Sequence, residues 1–416
     1  MNILNTSVFG RNSFFKSHTG INHRMIIDLL GRLAKSLVRL AVFRLNGAAQ
    51  APDLHEMRKT WQRAQTCGIV CAAGLGDALM ATPLIEAIKH RKPGARVIVV
   101  AKNTTASIFA RNPDVDGVIS YDARPRAFLS FVRALWKIRR ENLEVLFAAQ
   151  PANRIRHSLI AAFSGAGVRL KHDYDHGQHT EREFSFVYTA LLPNLMERHR
   201  VELNLDLLRF LDEELAERRH CLRFYIGRPA HEKIVRRLLA IGESGRHSRL
   251  IAIHPGGGRQ NKWWLPERFA QVGKELMRLD FTVCLVGGRE ERDLCEGIAK
   301  KMNLPAALNF AGNFSLEETA ALLKRCCCLL SNDSGIMHLA TAVGAPVIAL
   351  FGPTDFRHIG PFSPRAKIVF KSGNIQDLSC AEVFNVVWRE ITVRRMANDQ
   401  SSDYTAPVGA LSAAAL

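Results

Sequence analysis

Residues 331–352, SNDSGIMHLATAVGAPVIALFG, constrain the possible fold more than any other stretch of this chain. An apolar run leads into a polar turn, the turn opens a predicted helix, and an apolar, β-branched run (347–350) follows. This order of strand, loop, helix and strand is typical of an α/β unit with parallel strands. The turn places Asp333, Ser334 and the backbone N–H of Gly335 at a helix N-terminus, where a phosphate-bearing ligand binds well.

The same alternation of strands and helices recurs along most of the 416 residues. Candidate strands fall into two series, separated by a polar stretch near 215–248: first 67–73, 96–101, 117–121 and 144–150, then 250–254, 281–287, 327–331, 346–351 and 367–370. Hydrophobic residues make up 47% of the chain, which is enough for two buried cores. We therefore predict an α/β fold with two doubly wound, Rossmann-like domains that face a central cleft. The predicted parts are an N-terminal extension (1–65), a first domain (66–220), a second domain (221–395) and a disordered tail (396–416).

The chain is strongly basic, with a formal net charge of +18. Such a charge attracts nucleic acid, an anionic membrane surface or a phosphorylated substrate. No RNA-binding motif with interleaved aromatic residues and no zinc-finger spacing accompanies the basic clusters, which disfavours nucleic acid. One basic cluster, on a predicted helix at 126–141 and the turn before it, offers three candidate acceptor-side contacts: Arg124, Arg126 and Arg133. Charge alone leaves a non-catalytic polyanion-binding protein as an alternative.

Several sequence features bear on the compartment. The nine cysteines include no CxxC pair and are predicted to be buried, reduced side chains. The chain shows neither an export signal nor an uncharged run that is long enough to span a bilayer, so a cytoplasmic protein is expected. Residues 24–46 form a predicted basic amphipathic helix, which suits a membrane interface or, alternatively, packing on the body of the protein.

A glycine-containing loop, Gly74-Leu75-Gly76-Asp77, comes directly after the first candidate strand. The glycines permit a tight turn, and Asp77 is then expected at the mouth of the cleft, where a carboxylate can act as general base on a hydroxyl. The structural alternative is an aspartate that caps the following helix. Residue 79 is leucine rather than the third glycine of the dinucleotide fingerprint, so a nicotinamide cofactor is disfavoured.

A second glycine-rich loop follows the first strand of the second series. Gly256, Gly257 and Gly258 expose backbone N–H groups and allow close approach of a diphosphate. Lys262, four residues later, is placed to neutralise phosphate charge. The alternative is a solvated lysine in a flexible loop.

Other candidate ligand contacts follow later strands. Glu290 and Glu291 are both predicted to reach ribose hydroxyls, although acids in a first helical turn also stabilise the helix dipole. Asp333 is predicted either to accept hydrogen bonds from ligand hydroxyls or to cap its helix. His338 lies one helical turn after Ser334 on the same face, and a buried core histidine is the alternative there.

A histidine-rich run, His172, His176 and His179 with two aspartates, has a superficial likeness to a metal site. It lacks the regular offset of a helix-borne site, so we predict a solvated loop and no metal.

Six motifs together resemble the heptosyltransferases of glycosyltransferase family 9. They occur in register over about residues 66–370, in the order GLGDALMATPLIEAIKHRKPGARVIVVA, NPDVDGVISYD, HRVELNLDLLRFL, HPGGGRQNKWWLPERF, GNFSLEETAALL and NDSGIMHLATAVGAPVIALFGPTD. Two departures stand out: Leu265 lies where the family often has proline, and the N-terminal extension is not part of the family core.

The resemblance implies a GT-B architecture and an inverting transfer. The donor would be a nucleotide-activated heptose, usually ADP-L-glycero-D-manno-heptose, and the acceptor the inner core of lipopolysaccharide at the cytoplasmic face of the inner membrane. Asp77 is implied as general base, Lys262 as a contact to the donor phosphates and Asp333 as a contact to heptose hydroxyls. The implied contacts around the diphosphate and nucleoside are Ser334, Gly335, Ile336 and Glu291, with Glu290 one register away. Because cationic side chains and backbone N–H groups can stabilise the leaving diphosphate, no metal cofactor is required. A family member that uses another nucleotide-sugar and a GT-B nucleotide-sugar epimerase are the alternatives.

Overall fold

The computed structural model describes residues 52–173, 182–195, 197–214, 220–242 and 249–402, with Ser36 and Leu40 as two isolated positions. The amphipathic segment predicted at 24–46 therefore lies almost entirely outside the described residues. So do His176 and His179 of the predicted histidine-rich loop, and the end of the predicted tail from 403 onwards.

Six strands form a first sheet. They are β1 (Thr66–Cys71), β2 (Arg96–Lys102), β3 (Gly117–Tyr121), β4 (Val145–Ala148), β5 (Val168–His172) and β6 (Ala190–Leu192). They lie in the order β3-β2-β1-β4-β5-β6, and every neighbouring pair is parallel. The central strands are apolar along nearly their whole length, as expected for a parallel sheet that is covered on both faces.

The helices that accompany the first sheet are α1 (Leu54–Arg63), α2 (Leu75–Met80), α3 (Thr82–Arg91), α4 (Phe128–Arg140), α5 (Ile155–Ser164) and α6 (Arg200–Leu211). Helix α1 comes from the end of the predicted N-terminal extension, yet it packs on this sheet through Trp61, whose ring meets Phe147 edge-on with centroids 6.1 Å apart.

Five strands form a second sheet. They are β7 (Leu250–His254), β8 (Thr282–Leu285), β9 (Cys328–Asn332), β10 (Val347–Phe351) and β11 (Ala366–Phe370). Their order is β11-β10-β9-β7-β8, again with every neighbouring pair parallel. The accompanying helices are α7 (Arg228–Leu239), α8 (Pro266–Arg278), α9 (Arg292–Met302), α10 (Leu316–Leu323), α11 (Gly335–Ala342), α12 (Phe356–Ile359) and α13 (Cys380–Ser402).

The observed elements agree with the predicted α/β fold. Strands β5 and β6 and helices α1, α5, α7, α12 and α13 were not predicted from the sequence. The disordered tail predicted from 396 was wrong for its first residues, since α13 continues to Ser402. Within the described part of the chain, no helix has both the length and the apolar character needed to cross a membrane.

Each sheet contains a point at which the strand order reverses. In the first sheet it lies between β1 and β4, and in the second between β7 and β9. Connections leave to opposite faces at such a point, so the carboxyl ends of the two strands open a crevice that binds ligands. The loops with Asp77, with the glycines after His254 and with Asp333 all begin at these two crevices.

Candidate active site

Asn332, the last residue of β9, fixes the glycine-rich loop after β7. Its side-chain nitrogen donates to the carbonyls of Pro255 and Gly256 at 2.6 and 3.3 Å, and its oxygen accepts from the N–H of Trp264 at 3.1 Å. Asn332 is fully buried. A buried amide whose hydrogen bonds all go to backbone holds the loop in one conformation.

The start of α11 is capped by its own serine. The Ser334 hydroxyl accepts from the N–H of Met337 at 3.3 Å and lies 3.0 Å from the Ser331 hydroxyl. The Ser334 hydroxyl therefore already has hydrogen-bond partners within the protein. The groups at this helix N-terminus that remain available to a ligand are backbone N–H groups. Those of Gly335 and Ile336 follow directly, where an anion is stabilised by the helix dipole.

Asp333 and Lys262 come from different loops and form an ion pair. The lysine Nζ lies 2.6 Å from Asp333 Oδ2, and the Thr354 hydroxyl donates to the same oxygen at 2.8 Å. The carboxylate is largely buried. The sequence predicted both charged residues at the site but missed Thr354. That residue is in the last of the six motifs, but it has no charge and no distinctive spacing that would mark it as a site residue.

Glu291, rather than Glu290, faces the glycine-rich loop. One carboxylate oxygen accepts from the N–H of Gly288 at 2.7 Å, and the other lies 3.6 Å from Nε2 of the buried His254. A Cβ on Gly256 would lie 2.0 Å from Oε1 of Glu291, so a larger residue there would displace the Glu291 side chain. Glu290 is exposed.

Part of this site, including Ser334 and Glu291, lines a cavity of about 500 Å³. It is lined by the glycine-rich loop, the loop after β8 and the start of α11, and Leu75 of α2 contributes from the first sheet. A volume in this range suits a small ligand such as a nucleotide. His338, Lys262, Asp333 and Gly256 do not line this cavity. His338 lies behind the start of α11, buried against α2.

Asp77 lies at the corresponding edge of the first sheet, in the first turn of α2. One carboxylate oxygen is ion-paired with Arg200 at the start of α6, and the other accepts from the N–H of Gly74 at 3.2 Å. Asp77 is therefore not the N-cap residue considered from sequence: Gly74 is the N-cap, and Asp77 accepts its N–H from the third position of the helix. The Asp77 side chain stays partly exposed.

Helices α2 and α11 pack so closely that their glycines are required. A Cβ on Gly76 would lie 2.6 Å from Cδ2 of His338, and a Cβ on Gly335 would lie 2.8 Å from Cβ of Leu75. Burial lowers the pKa of His338 to about 4, so the imidazole is neutral at pH 7. The two edges meet at this ring, because His338 of α11 lies against Gly76, next to Asp77. The charges of Asp333, Arg200 and Lys262 act on it.

The sequence of this chain matches a known family over the second sheet and the end of the first. Residues 133–385, more than half of the chain, match glycosyltransferase family 9 (heptosyltransferase). The chain belongs to glycosyltransferase family 9. It is therefore a glycosyltransferase, and the resemblance noted from its motifs is confirmed.

Relatives and solved structures of the family agree with this assignment. Lipopolysaccharide heptosyltransferase 3 of Escherichia coli is 27% identical over 308 residues, covering 73% of this chain and 88% of the relative. A family 9 glycosyltransferase structure from Veillonella parvula superposes with a TM-score of 0.69 at 20% identity, covering 79% of this chain and 97% of that one. The ADP-heptose lipopolysaccharide heptosyltransferase II of E. coli gives a TM-score of 0.65 at 18% identity, covering 79% of this chain and 99% of that one. The GT-B fold is thereby confirmed.

Besides Arg200, a second cation that the motifs did not reveal, Lys102, interacts with Asp77. Burial lowers the pKa of Lys102, at the end of β2, and the charges of Arg154 and Arg156 act in the same direction. The Asp77 carboxylate opposes them. Sequence reasoning missed the two arginines because α5 was not predicted, and it missed Lys102 because its strand was ended one residue early.

The three predicted acceptor-side arginines lie in or beside α4. Arg124 is ion-paired with Asp122 at 2.8 Å, so its charge is locally balanced. Arg126 and Arg133 are exposed. Whether any of the three contacts an acceptor stays a prediction.

The predicted solvated histidine loop was wrong for its first residue. His172 is the buried last residue of β5, with its ring nitrogens 2.8 and 2.7 Å from the carbonyls of Pro193 and Leu203. Over the described residues, histidine, cysteine and acidic side chains form no group of three that is able to hold a metal ion.

Proposed function

We propose that this protein transfers a heptose from ADP-heptose to the inner core of lipopolysaccharide, with inversion at the anomeric carbon. The observation that carries the proposal is the meeting of two unlike edges around His338: one holds a single carboxylate, Asp77, and the other holds an anion-binding helix start. The names of the relatives support the sugar and the acceptor, since a lipopolysaccharide heptosyltransferase matches 73% of this chain.

The second-sheet edge would bind the donor. Backbone N–H groups of Gly257, Gly258, Gly335 and Ile336 would receive the diphosphate, and Glu291 would accept from the ribose hydroxyls. Lys262 would supply positive charge to the leaving diphosphate, while Asp333 would accept from heptose hydroxyls. His338 would act indirectly, by fixing the distance between α2 and α11. These groups stabilise a leaving diphosphate by charge and by preorganised dipoles, so we propose that no metal cofactor is required.

The first-sheet edge would hold the acceptor and start the reaction. An acceptor hydroxyl oxygen would form the new bond to the anomeric carbon while Asp77 takes the hydroxyl proton. The bond from the anomeric carbon to the diphosphate oxygen breaks, and ADP leaves with that electron pair. Arg200 and Lys102, which interact with Asp77, together with Arg154 and Arg156 beside Lys102, supply positive charge that suits an acceptor bearing carboxylates and phosphates.

The acceptor is borne by a lipid, so we propose a cytoplasmic enzyme that is peripheral to the inner membrane. The basic amphipathic segment 24–46 is one proposed contact to the membrane surface, although it lies almost wholly outside the described residues. Arg124, Arg126 and Arg133 are retained as proposed acceptor-side charges. No nucleic-acid partner is proposed.

The test of the catalytic assignment is Asp77→Asn. We expect transfer to fall by about 10²–10⁴-fold, the usual contribution of a general base, while calorimetric affinity for the nucleotide-sugar stays within about twofold. Asp212→Asn is a matched control, because that carboxylate is also ion-paired to an arginine, Arg91, but on another surface. Turnover that survives in Asp77→Asn removes Asp77 from its role.

The donor is tested by calorimetric titration with ADP-, UDP- and GDP-sugars. We expect ADP-heptose to bind at least about tenfold more tightly than the others. Preference for another nucleotide would assign the chain to a family member with a different donor. An epimerase would consume the donor without acceptor present, whereas a transferase would leave it intact.

A further inference from the structure

Helix α4 carries the most exposed large apolar side chains in the described residues. Phe128, Leu129 and Trp136 are 68%, 69% and 67% exposed, and the next, Leu239, is 56% exposed. Single exposed apolar side chains are common, but three on one short helix form a patch of the kind that marks an interaction surface.

These side chains lie on one face together with cations. At about 100° per residue, Phe128, Val132, Trp136 and Leu129 follow one another around the outer half of the helix. Arg133, Lys137 and Arg140 lie next to this stripe on the side of Leu129, and all three are exposed. Arg139 lies within the stripe, between Phe128 and Val132, and its guanidinium lies against Gly165. Aromatic and apolar side chains with cations beside them are the pattern of a helix at a lipid interface.

No acid offsets this charge. Residues 123–140 contain no aspartate or glutamate. The flanking Asp122 is ion-paired with Arg124, and Glu141 is ion-paired with Arg96 at 2.9 Å. All the charged side chains on the outer face of α4 are therefore positive, and this charge is complementary to an anionic surface.

The inner face of α4 is anchored firmly to the body. Phe131, Ala134, Leu135 and Ile138 are buried, and the Phe131 ring meets Tyr121 at the end of β3 edge-on, with centroids 5.1 Å apart. Arg156 lies over both rings and donates to the carbonyl of Ala123 at 2.6 Å. Because α4 begins at the carboxyl end of β3, Phe128 and Leu129 lie near the sheet edge that carries Asp77.

We propose that the outer face of α4, from Phe128 to Arg140, docks the protein on an anionic lipid bilayer. A helix of 13 residues is about 20 Å long, too short to span a bilayer, and lies in the plane of the headgroups. Its apolar stripe enters the boundary between headgroups and acyl chains, and its cations contact lipid phosphates. The surface itself stands on the exposure and charge of α4. Only its purpose, bringing the cationic Asp77 edge to a lipid-borne acceptor, rests on the proposed function.

The test uses the full chain and vesicles of phosphatidylglycerol and phosphatidylethanolamine, with pure phosphatidylcholine vesicles for comparison. We expect cosedimentation with the anionic vesicles only. Arg133→Glu with Lys137→Glu, and separately Phe128→Ser with Trp136→Ser, each lower the affinity by at least about tenfold. The matched controls lie on α7: Arg236→Glu with Arg237→Glu, and Leu239→Ser, all at exposed positions, leave it unchanged.

Direct contact of α4 with lipid is measured separately, because residues 24–46 can also hold the protein on vesicles. Phospholipids with brominated acyl chains quench tryptophan fluorescence at short range. We expect quenching that disappears in Trp136→Phe and persists in Trp388→Phe. Unchanged melting and nucleotide affinity in each variant show that the fold is intact, and no step of this test depends on turnover.

Three results overturn the proposal. The first is vesicle affinity that is the same in the α4 variants as in the parent protein. The second is quenching that survives in Trp136→Phe. The third is a parent protein that does not bind vesicles but forms a concentration-dependent dimer, together with loss of that dimer in the Phe128→Ser, Trp136→Ser variant. That result would assign the face to a second copy of the chain.

Discussion

The two sheet edges that meet at His338 are built in opposite ways. At the second-sheet edge the polar side chains are buried and satisfied within the edge itself: Asn332 by backbone, Asp333 by Lys262 and Thr354. At the first-sheet edge one partly exposed acid, Asp77, lies among several cations. From this comparison we expect the donor to bind side chains and backbone N–H groups that are already fixed in place. We expect an acceptor, in contrast, to change the ion pairs around Asp77 as it binds.

Lys262→Ala tests the preformed edge and carries the largest expected effect. It removes a charge from the diphosphate and leaves the Asp333 carboxylate buried without its cation, a change that typically costs several kcal/mol. We expect the dissociation constant for the nucleotide-sugar to rise by about 100-fold, measured by calorimetry. The exposed Lys274 on α8 gives the control, Lys274→Ala, which is expected to bind the donor normally. Normal donor affinity in Lys262→Ala would show that the lysine serves only Asp333.

Arg200→Ala tests the loose edge. The guanidinium holds the Asp77 carboxylate in place, so we expect kcat to fall by about 10- to 100-fold and donor affinity to stay within about twofold. Arg200→Lys should restore part of kcat, because it keeps the charge but not the forked geometry. Steady-state kinetics with the acceptor varied separates this effect from a change in KM alone.

Arg209→Ala is the matched control for Arg200. It lies on the same helix and pairs with Glu202 and Asp206, away from Asp77. Equal losses of kcat in the two variants would mean that α6 matters only for stability and that Arg200 does not position the base.

A pair of buried asparagines compares the two edges directly. Asn204 on α6 accepts from the N–H of Gln150 at 2.8 Å and donates to the carbonyl of Met80 at 3.0 Å, much as Asn332 holds the glycine-rich loop. Both are fully buried. We expect Asn204→Ala and Asn332→Ala each to lower the free energy of unfolding by about 2–3 kcal/mol, because each leaves buried backbone groups unpaired. Urea denaturation measures this loss.

Donor affinity then separates the two asparagine variants. Only Asn332→Ala should weaken nucleotide-sugar binding, since only Asn332 touches the donor loop. If both variants bound the donor equally well, donor binding would not depend on the Asn332 side chain. The difference between the two edges would then be smaller than we infer.

The residues that the sequence predicted and those that it missed also differ between local motifs and contacts made by the tertiary fold. Strand–loop–helix units with glycines and single charges, such as those of Asp77, Lys262 and Asp333, were found because their chemistry is local to a short motif. Arg200 and Lys102 were missed as partners of Asp77 because the tertiary fold brings them there from distant segments. Thr354 and Asn204 were missed because a neutral polar side chain carries no signal until its hydrogen-bond partner is known. Helix α4 was predicted as a basic helix, but its exposed aromatic stripe appears only once its inner face is defined.

One buried histidine lies near each edge, and their protonation provides the smallest of these effects. Burial lowers the pKa of both His157 and His338 to about 4 from the ordinary value of 6.5. The unfolded chain therefore takes up these protons near pH 6.5, and the folded chain does so only near pH 4. Stability is fully present above pH 6.5 and declines as the pH falls towards 4, by about 1.4 kcal/mol per histidine at pH 5.5.

His157→Asn and His338→Asn should each flatten the pH dependence of the unfolding free energy by that amount, even if the variant is less stable throughout. Denaturation curves recorded between about pH 7.5 and 5.0 give the slope of unfolding free energy against pH. His55→Asn, at an exposed position, is the control. The two slopes should change equally, because burial, which is common to both edges, sets both pKa values. A flatter slope in His338→Asn alone would mean that water reaches His157 through the looser first-sheet edge, which would extend the contrast between the edges from side-chain contacts to solvent access.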